Sequence, residues 1–156
     1  MLADKEAISD AAELVAQHMQ PTPQIRWPLI SARCRAEVWV KHENHTPIGA
    51  FKVRGGLIYM DALKRRTPDV PGVITATRGN HGQSVAFAAR SAGVRAVVVV
   101  PHGNSVEKNA AMEAFGAELI EHGRDFNEAL DFTKEQAEAQ KLEFFPSFDP
   151  DLVAGV

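Results

Sequence analysis

The sequence predicts an α/β protein built on a parallel sheet of βα repeats. Three observations carry this. From Gly72 onward, short apolar runs alternate with longer segments of helical periodicity, the pattern of strands joined by crossover helices. The run Val97-Val98-Val99-Val100 has no polar face, which predicts a central strand covered on both sides. The segment Thr75-Ala76-Thr77-Arg78-Gly79-Asn80-His81-Gly82-Gln83 leaves one such strand and opens a small-residue helix, where first-turn amides point outward.

Taken in order, Asp4 to Met19 places Ala7, Ile8, Ala11, Leu14, Val15 and Met19 at helical spacing. Pro21, Pro23 and Pro28 break this helix and predict an extended lead. Glu37 to Lys41 alternates as a strand does, and a loop follows through Thr46, Pro47 and Gly49. Phe51 to Leu63 reads as a helix, although Gly55 and Gly56 each cost about 1 kcal/mol there relative to alanine. Such a cost points to close packing, to a nearby ligand or to a helix that begins later. Beyond Gly72 we expect strands at Val73–Ala76, Ala96–Val100 and Ala117–Ile120, with a further short one at Glu143–Phe145. Helices are expected at His81–Ser91, Ser105–Phe115 with Ser105 as its cap, and Asn127–Gln140. Asp149 and Pro150 look like the cap and first residue of a last helix, which reaches only about one turn before Val156. We therefore expect the natural polypeptide to continue.

At 156 residues the chain holds one domain, or one and part of another. With 45% hydrophobic and 24% charged residues it can bury a sizeable core without a staple. A net charge of -3 argues against nucleic acid or an anionic membrane as partner. A small anionic ligand needs only local dipoles. Cys34 is the single cysteine, so no intramolecular disulfide forms, as suits a reducing compartment. Met1 to Gln20 contains no long apolar run, and the cytoplasm is the expected location.

Three constellations could carry chemistry. In the first, Pro47 to Gly56, Lys52 stands beside an aromatic and small residues after a strand and loop. Burial would free its neutral amine for Schiff-base chemistry; a solvated helical lysine is the plainer reading. The second is the loop around Gly79 and Gly82, either an anion site or a βα turn capped by Asn80. The third, Lys41-His42-Glu43-Asn44-His45, has no standard metal-ligand spacing. It reads as a polar strand-end loop bordering a site, and no metal is expected. The sequence contains neither a Gly-x-Ser-x-Gly elbow nor a phosphate-binding Gly-x-x-x-x-Gly-Lys-Ser/Thr loop.

The segment from Lys41 to Gly55 closely resembles the lysine motif of the threonine dehydratase and serine racemase family of fold-type II pyridoxal-phosphate enzymes. Thr77-Arg78-Gly79-Asn80-His81-Gly82-Gln83 resembles that family's Ser-x-Gly-Asn-His-Gly-Gln loop. Val99-Val100-Pro101, Lys108-Asn109-Ala110, Phe115 to Glu118 and Phe148 to Gly155 extend the likeness, which runs from about Thr22 to the last residue. The resemblance implies that Lys52 is the Schiff-base lysine and catalytic base. Phe51 would pack on the pyridine ring and Asn80 would bond the cofactor's 3-hydroxyl. The Thr77 hydroxyl and the amides of Arg78, Gly79, Asn80 and His81 would hold the substrate carboxylate.

Ala50 and Arg78 depart from the pattern: many members have serine at the first position and a small residue at the second. Family chains are also about twice as long, and their glycine-rich phosphate loop belongs to the other half. The resemblance thus implies residues 1–51 as the N-terminal part of a large domain, 52–144 as a small α/β domain, and 145–156 as the start of the return. It implies a threonine or serine dehydratase with pyridoxal 5'-phosphate as cofactor and a small amino acid as substrate, inactive as this half alone. A homo-oligomer or a complementing C-terminal half is the expected partner. The competing readings are a serine racemase-like enzyme and a non-catalytic α/β binding module.

Overall fold

The computed structural model describes residues 4–156; Met1–Ala3, which the sequence reading includes in the N-terminal segment, lie outside the described residues. Helix α1 (Lys5–Ala16) is capped by the Asp4 carboxylate, which accepts the Ala7 amide at 2.9 Å. It buries Ala11 and Val15 against the central helix of the fold. The lead that follows differs in part from the expectation. Gln24–Arg26 form a strand, β1, and Pro28 opens helix α2 (Pro28–Cys34) instead of prolonging an extended chain. Proline at the first helical position forgoes an amide that has no intrahelical partner anyway. Strand β2 (Trp39–Lys41) pairs antiparallel with β1. It is shorter than expected because the Val38 amide turns to the Ser31 hydroxyl, 3.0 Å away.

Helix α3 (Lys52–Arg66) runs about one turn past its expected end, with Lys64, Arg65 and Arg66 in the last turn. Cations there oppose the negative end of the helix dipole, and Pro68 then disfavours helical geometry at Thr67, which sits at φ -136°, ψ 79°. The glycines of α3 answer to neighbours. A Cβ on Gly55 would lie 2.4 Å from the Leu152 carbonyl oxygen, and one on Gly56 only 2.2 Å from the Ser84 hydroxyl oxygen. Close packing is therefore the reason for both.

Strand β3 (Val73–Ala76), helix α4 (Asn80–Ser91) and strand β4 (Ala96–Val100) form the first βα unit. Helix α5 (Val106–Ala114), capped by Ser105, leads to strand β5 (Glu118–Glu121). That strand starts one residue later than expected. The Ala117 amide closes α5 by donating to the Met112 carbonyl at 3.1 Å, with Gly116 in the left-handed region at φ +96°. Helix α6 (Phe126–Gln140), with Asp125 accepting the Asn127 and Glu128 amides, precedes the two-residue strand β6 (Glu143–Phe144). Helix α7 (Pro150–Ala154) is capped by Asp149.

The sheet order is β5-β4-β3-β6, all parallel. The four valines of β4 are 0% exposed, the double coverage their apolar run demands. Val97 and Val99 pack with Ala129, Ala137 and Leu142 on the α6 side; Val98 and Val100 pack with Ala86, Met112 and Ala117 on the α4 and α5 side. Each buried valine contributes roughly 2 kcal/mol. Beyond the sheet, α3 lies against α4, and α1 and α7 lie against α3.

The α3–α4 contact should be the most sensitive to added volume. Gly56→Ala gains about 1 kcal/mol of helix propensity but overpacks Ser84, a cost of about 1–3 kcal/mol. We expect a net loss of stability in urea unfolding; a more stable variant would show that Ser84 can move away freely.

Candidate active site

Lys52 is the first residue of α3. The loop before it is closed by Thr46, whose hydroxyl donates to the Ala50 carbonyl and accepts the Ala50 amide, both at 2.9 Å. Gly49 turns within this loop at φ +64°, a conformation that suits glycine. The Lys52 carbonyl accepts a hydrogen bond from the Ser84 hydroxyl at 2.7 Å, tying the residue to α4. The side chain is half-buried and its ammonium lies 5.7 Å from the centre of the exposed Phe51 ring.

The amine faces a partly open cleft whose empty volume of about 600 Å³ includes open solvent at its mouth. Its walls include Phe51, Gly55 and His81, with Ser147 and Phe148 from the segment after β6 and Leu152 and Val153 from α7. The cleft thus opens near the C-terminal ends of the sheet strands, where α/β proteins bind ligands.

Beside it, the start of α4 offers donors. The Thr77 hydroxyl, 4% exposed, accepts the amides of Gly79 (3.0 Å) and Gly82 (3.3 Å), leaving its own proton to give. The amides of Arg78, Asn80 and His81 donate to nothing among the described residues. These groups, aimed from a helix N-terminus, suit a carboxylate. Asn80 is the first helical residue and Gly79 the cap, so the turn is not closed by an Asn80 side chain. Gly82 is required by contact: a Cβ would stand 2.5 Å from Thr77 Cγ2 and 3.0 Å from Val98 Cγ1. Arg78 is exposed and has no acidic partner among the described residues.

Phe51, Lys52 and His81 therefore share one cleft, whereas Thr77, Arg78, Gly79 and Asn80 stand at the adjoining α4 start and do not line it. Sequence reasoning expected the short strand and the last helix but missed Ser147, Phe148 and α7 as walls, because no local pattern says that this segment folds back onto α3. It also missed Ser84, which reads as one more small helical residue. Among the described residues no group of three or more metal-ligating side chains gathers. His42 Nε2 accepts the Trp27 indole N–H at 3.0 Å, and Glu43 is engaged by Thr22 and Arg54.

His81 departs most from its expected role as a backbone donor alone. Its ring is 8% exposed, with Nε2 3.1 Å from the Thr75 hydroxyl, whose proton goes to the Phe145 carbonyl at 2.9 Å. The chain of donors assigns the imidazole proton to Nε2. Burial first, and then the Lys52 charge, push the His81 pKa down to about 4, against a backbone hydrogen bond at Phe145. The unfolded chain takes up a proton near pH 6.5 that the folded one refuses until about pH 4. His81 thus stabilises the fold fully above about pH 6.5, and this contribution drains away as pH falls towards 4, by roughly 3 kcal/mol in total. Melting temperatures between pH 4.5 and 7.5 should fall with acid, and less so in His81→Gln; equal slopes would refute the assignment.

A family profile described as pyridoxal-phosphate dependent enzyme matches residues 15–156. The biosynthetic L-threonine dehydratase of Haemophilus influenzae is 33% identical over 147 residues, covering 94% of this chain and 28% of that protein. A crystal structure of a pyridoxal 5'-phosphate-dependent aspartate racemase superposes with a TM-score of 0.89 at 30% identity, over 96% of this chain and 47% of that one. Maize serine racemase gives a TM-score of 0.89 at 26% identity, over 99% and 47%. The chain thus spans between about a quarter and a half of the length of these proteins. With the lysine segment, the loop at the start of α4 and the parallel sheet all inside the matched range, the chain belongs to the pyridoxal-phosphate dependent enzyme family.

Proposed function

We propose that this chain is the lysine-bearing part of a pyridoxal-phosphate dehydratase that removes water from L-threonine or L-serine, giving a 2-oxo acid and ammonia. The observation that carries this is the placement of the Lys52 amine in an aromatic-walled cleft, tied through Ser84 to a helix start with free amides. The donor set fits the cofactor and substrate: one amine for an aldehyde, aromatic and apolar walls for a pyridine ring, and uncommitted amides for a carboxylate. When bound, pyridoxal phosphate supplies that aldehyde and a ring that takes up the electron pair left when the Cα–H bond breaks.

The chain's own residues then divide the work. The amides of Arg78, Asn80 and His81, with the Thr77 hydroxyl, bind the substrate carboxylate, and Gly79 lets it approach the backbone. Phe51 would face the cofactor's ring and Asn80 would bond its hydroxyl. Lys52 Nζ takes the Cα proton, and the β-hydroxyl leaves as water. His81, neutral beside Lys52, adds no second positive charge to the cleft. In this reading 1–51 belongs to one domain, 52–144 to a second, and 145–156 returns to the first. The phosphate is held by a complementing segment or a second copy of the chain. Trp27, Leu29, Ile30 and Trp39 are exposed on and beside the β1–β2 ribbon, an apolar face that such a partner would cover.

In the assembly active on L-threonine, Lys52→Ala should lower turnover by about a thousandfold or more while leaving the melting temperature nearly unchanged. Retained turnover would sink the assignment. A non-catalytic module would instead give no borohydride-trapped pyridoxal adduct at Lys52 in the wild type. Arg78 sits where the helix dipole disfavours a cation, which suggests that a ligand carboxylate balances it. Arg78→Ala should therefore shift relative rates away from 3-hydroxyaspartate and towards threonine. Unchanged ratios in a competition assay would leave the side chain without a role in the site.

A further inference from the structure

Three polar side chains from separate segments meet behind the lysine turn. Arg54 donates from Nε to Glu43 Oε2 at 2.7 Å, and from Nη2 to Glu43 Oε1 at 3.0 Å and to the Thr22 hydroxyl at 3.3 Å. The Thr22 hydroxyl in turn donates to Glu43 Oε1 at 2.6 Å. The Arg54 and Glu43 side chains are 17% and 21% exposed, so this is no loose surface pair. Arg54, more than burial can offset, holds the Glu43 carboxyl below its usual range, with Thr22 adding to the effect. We propose that Thr22, Glu43 and Arg54 form a clamp that positions Lys52, acting on its backbone and not on the reaction itself. The proposal rests on the reading of Lys52 as the reacting lysine.

The start of α3 is weakly capped. Phe51, the cap residue of α3, offers no side-chain hydrogen bond, so the turn that carries Lys52 lacks the support a serine or aspartate would supply. Support must come from outside the helix. Lys52 and Arg54 are two residues apart, roughly 200° around the helix, and so point to opposite sides. Lys52 lines the cleft and not the neighbouring hollow, while Arg54 and Glu43 line that hollow with Ile8 and Val15 and not the cleft; Phe51 and Val156 stand between the two and border both. On the Lys52 side the Ser84 hydroxyl holds the Lys52 carbonyl. On the far side the Arg54 fork holds Glu43. The first turn is gripped from both flanks, and rotation about the helix axis would break one grip or the other.

Glu43 and Arg54 also bracket the loop from Thr46 to Phe51, so their pairing closes that loop at its base. Glu43 itself is fixed by the ribbon. The His42 amide donates to the Pro23 carbonyl at 2.8 Å, which brings Thr22 and Glu43 together. A guanidinium suits this task because its planar fork engages both carboxylate oxygens and so fixes orientation as well as distance; an ammonium at the same place fixes distance alone.

The test uses the 156-residue chain incubated with pyridoxal phosphate, reduced with borohydride and mapped by peptide mass spectrometry. The readout is the share of pyridoxyl label on Lys52 relative to the other lysines, with melting temperature measured alongside. Wild type should label Lys52 preferentially. Arg54→Lys, which keeps the charge and loses the fork, and Thr22→Val, which keeps the shape and loses the hydroxyl, should each lower that preference about fivefold or more. Thr22→Ser, which keeps the hydroxyl, should match the wild type. Should Arg54→Lys unfold the chain, the Thr22 pair decides alone. A wild type without preference for Lys52 would overturn the reading of that lysine. Preference in the wild type that survives in both Arg54→Lys and Thr22→Val would overturn the clamp alone.

Discussion

The close approach of α3 and α4 at Gly56 and Ser84 governs the rest of the arrangement. With hydrogen in place of a side chain at Gly56, the Ser84 hydroxyl can sink between the helices and reach the Lys52 carbonyl. That contact sets the start of α3 beside the start of α4, so the amine of one element and the free amides of the other serve the same region. The sheet supplies the direction. Strand β3 feeds α4, and the hydroxyls of Thr75 within it and Thr77 just past its end organise the turn, one towards His81 and the other towards two backbone amides. On the opposite flank Gly55 allows α7 to press its Leu152 carbonyl against α3, which completes the cleft wall.

Electrostatics follow from this geometry more than from composition. A chain of net charge -3 gathers a helix N-terminus, Lys52, Arg78 and Lys108 within one neighbourhood. The Lys108 side chain runs over Gly79, close enough that a Cβ there would stand 3.0 Å from its ammonium. Opposing this, His81 is kept neutral by burial, and Glu43 spends its charge on Arg54 behind the lysine turn. The local field therefore favours a small anion while the global charge does not, and the two statements concern different length scales.

Much of this was legible in the residues. The β4 valines announced a strand covered on both faces, and the structure buries all four completely. Ser105, Asp149 and Pro150 announced helix starts by their own chemistry, and each sits where a cap or first residue belongs. The penalty of two glycines in α3 left close packing, a nearby ligand or a later helix start open, and the neighbours Leu152 and Ser84 decide for packing. Other features lay beyond reach. Pro28 can end a helix or begin one, and only the chain around it selects between them. Val38 looks like a strand residue until the Ser31 hydroxyl takes its amide.

By itself, the sequence determined the alternation of strands and helices, the central position of β4 and the two segments, around Lys52 and Gly79, that could carry chemistry. These depend on periodicity, steric freedom and local hydrogen bonding, all of which act between residues near in the chain. Tertiary structure alone decided that Ser84 grips Lys52, that His81 turns its ring inward to Thr75, that α7 walls the cleft and that Thr22 meets Glu43 and Arg54. Each of these joins groups far apart in sequence or on different elements, through hydroxyls and carboxylates whose partners are fixed by how the elements pack, which no local pattern encodes.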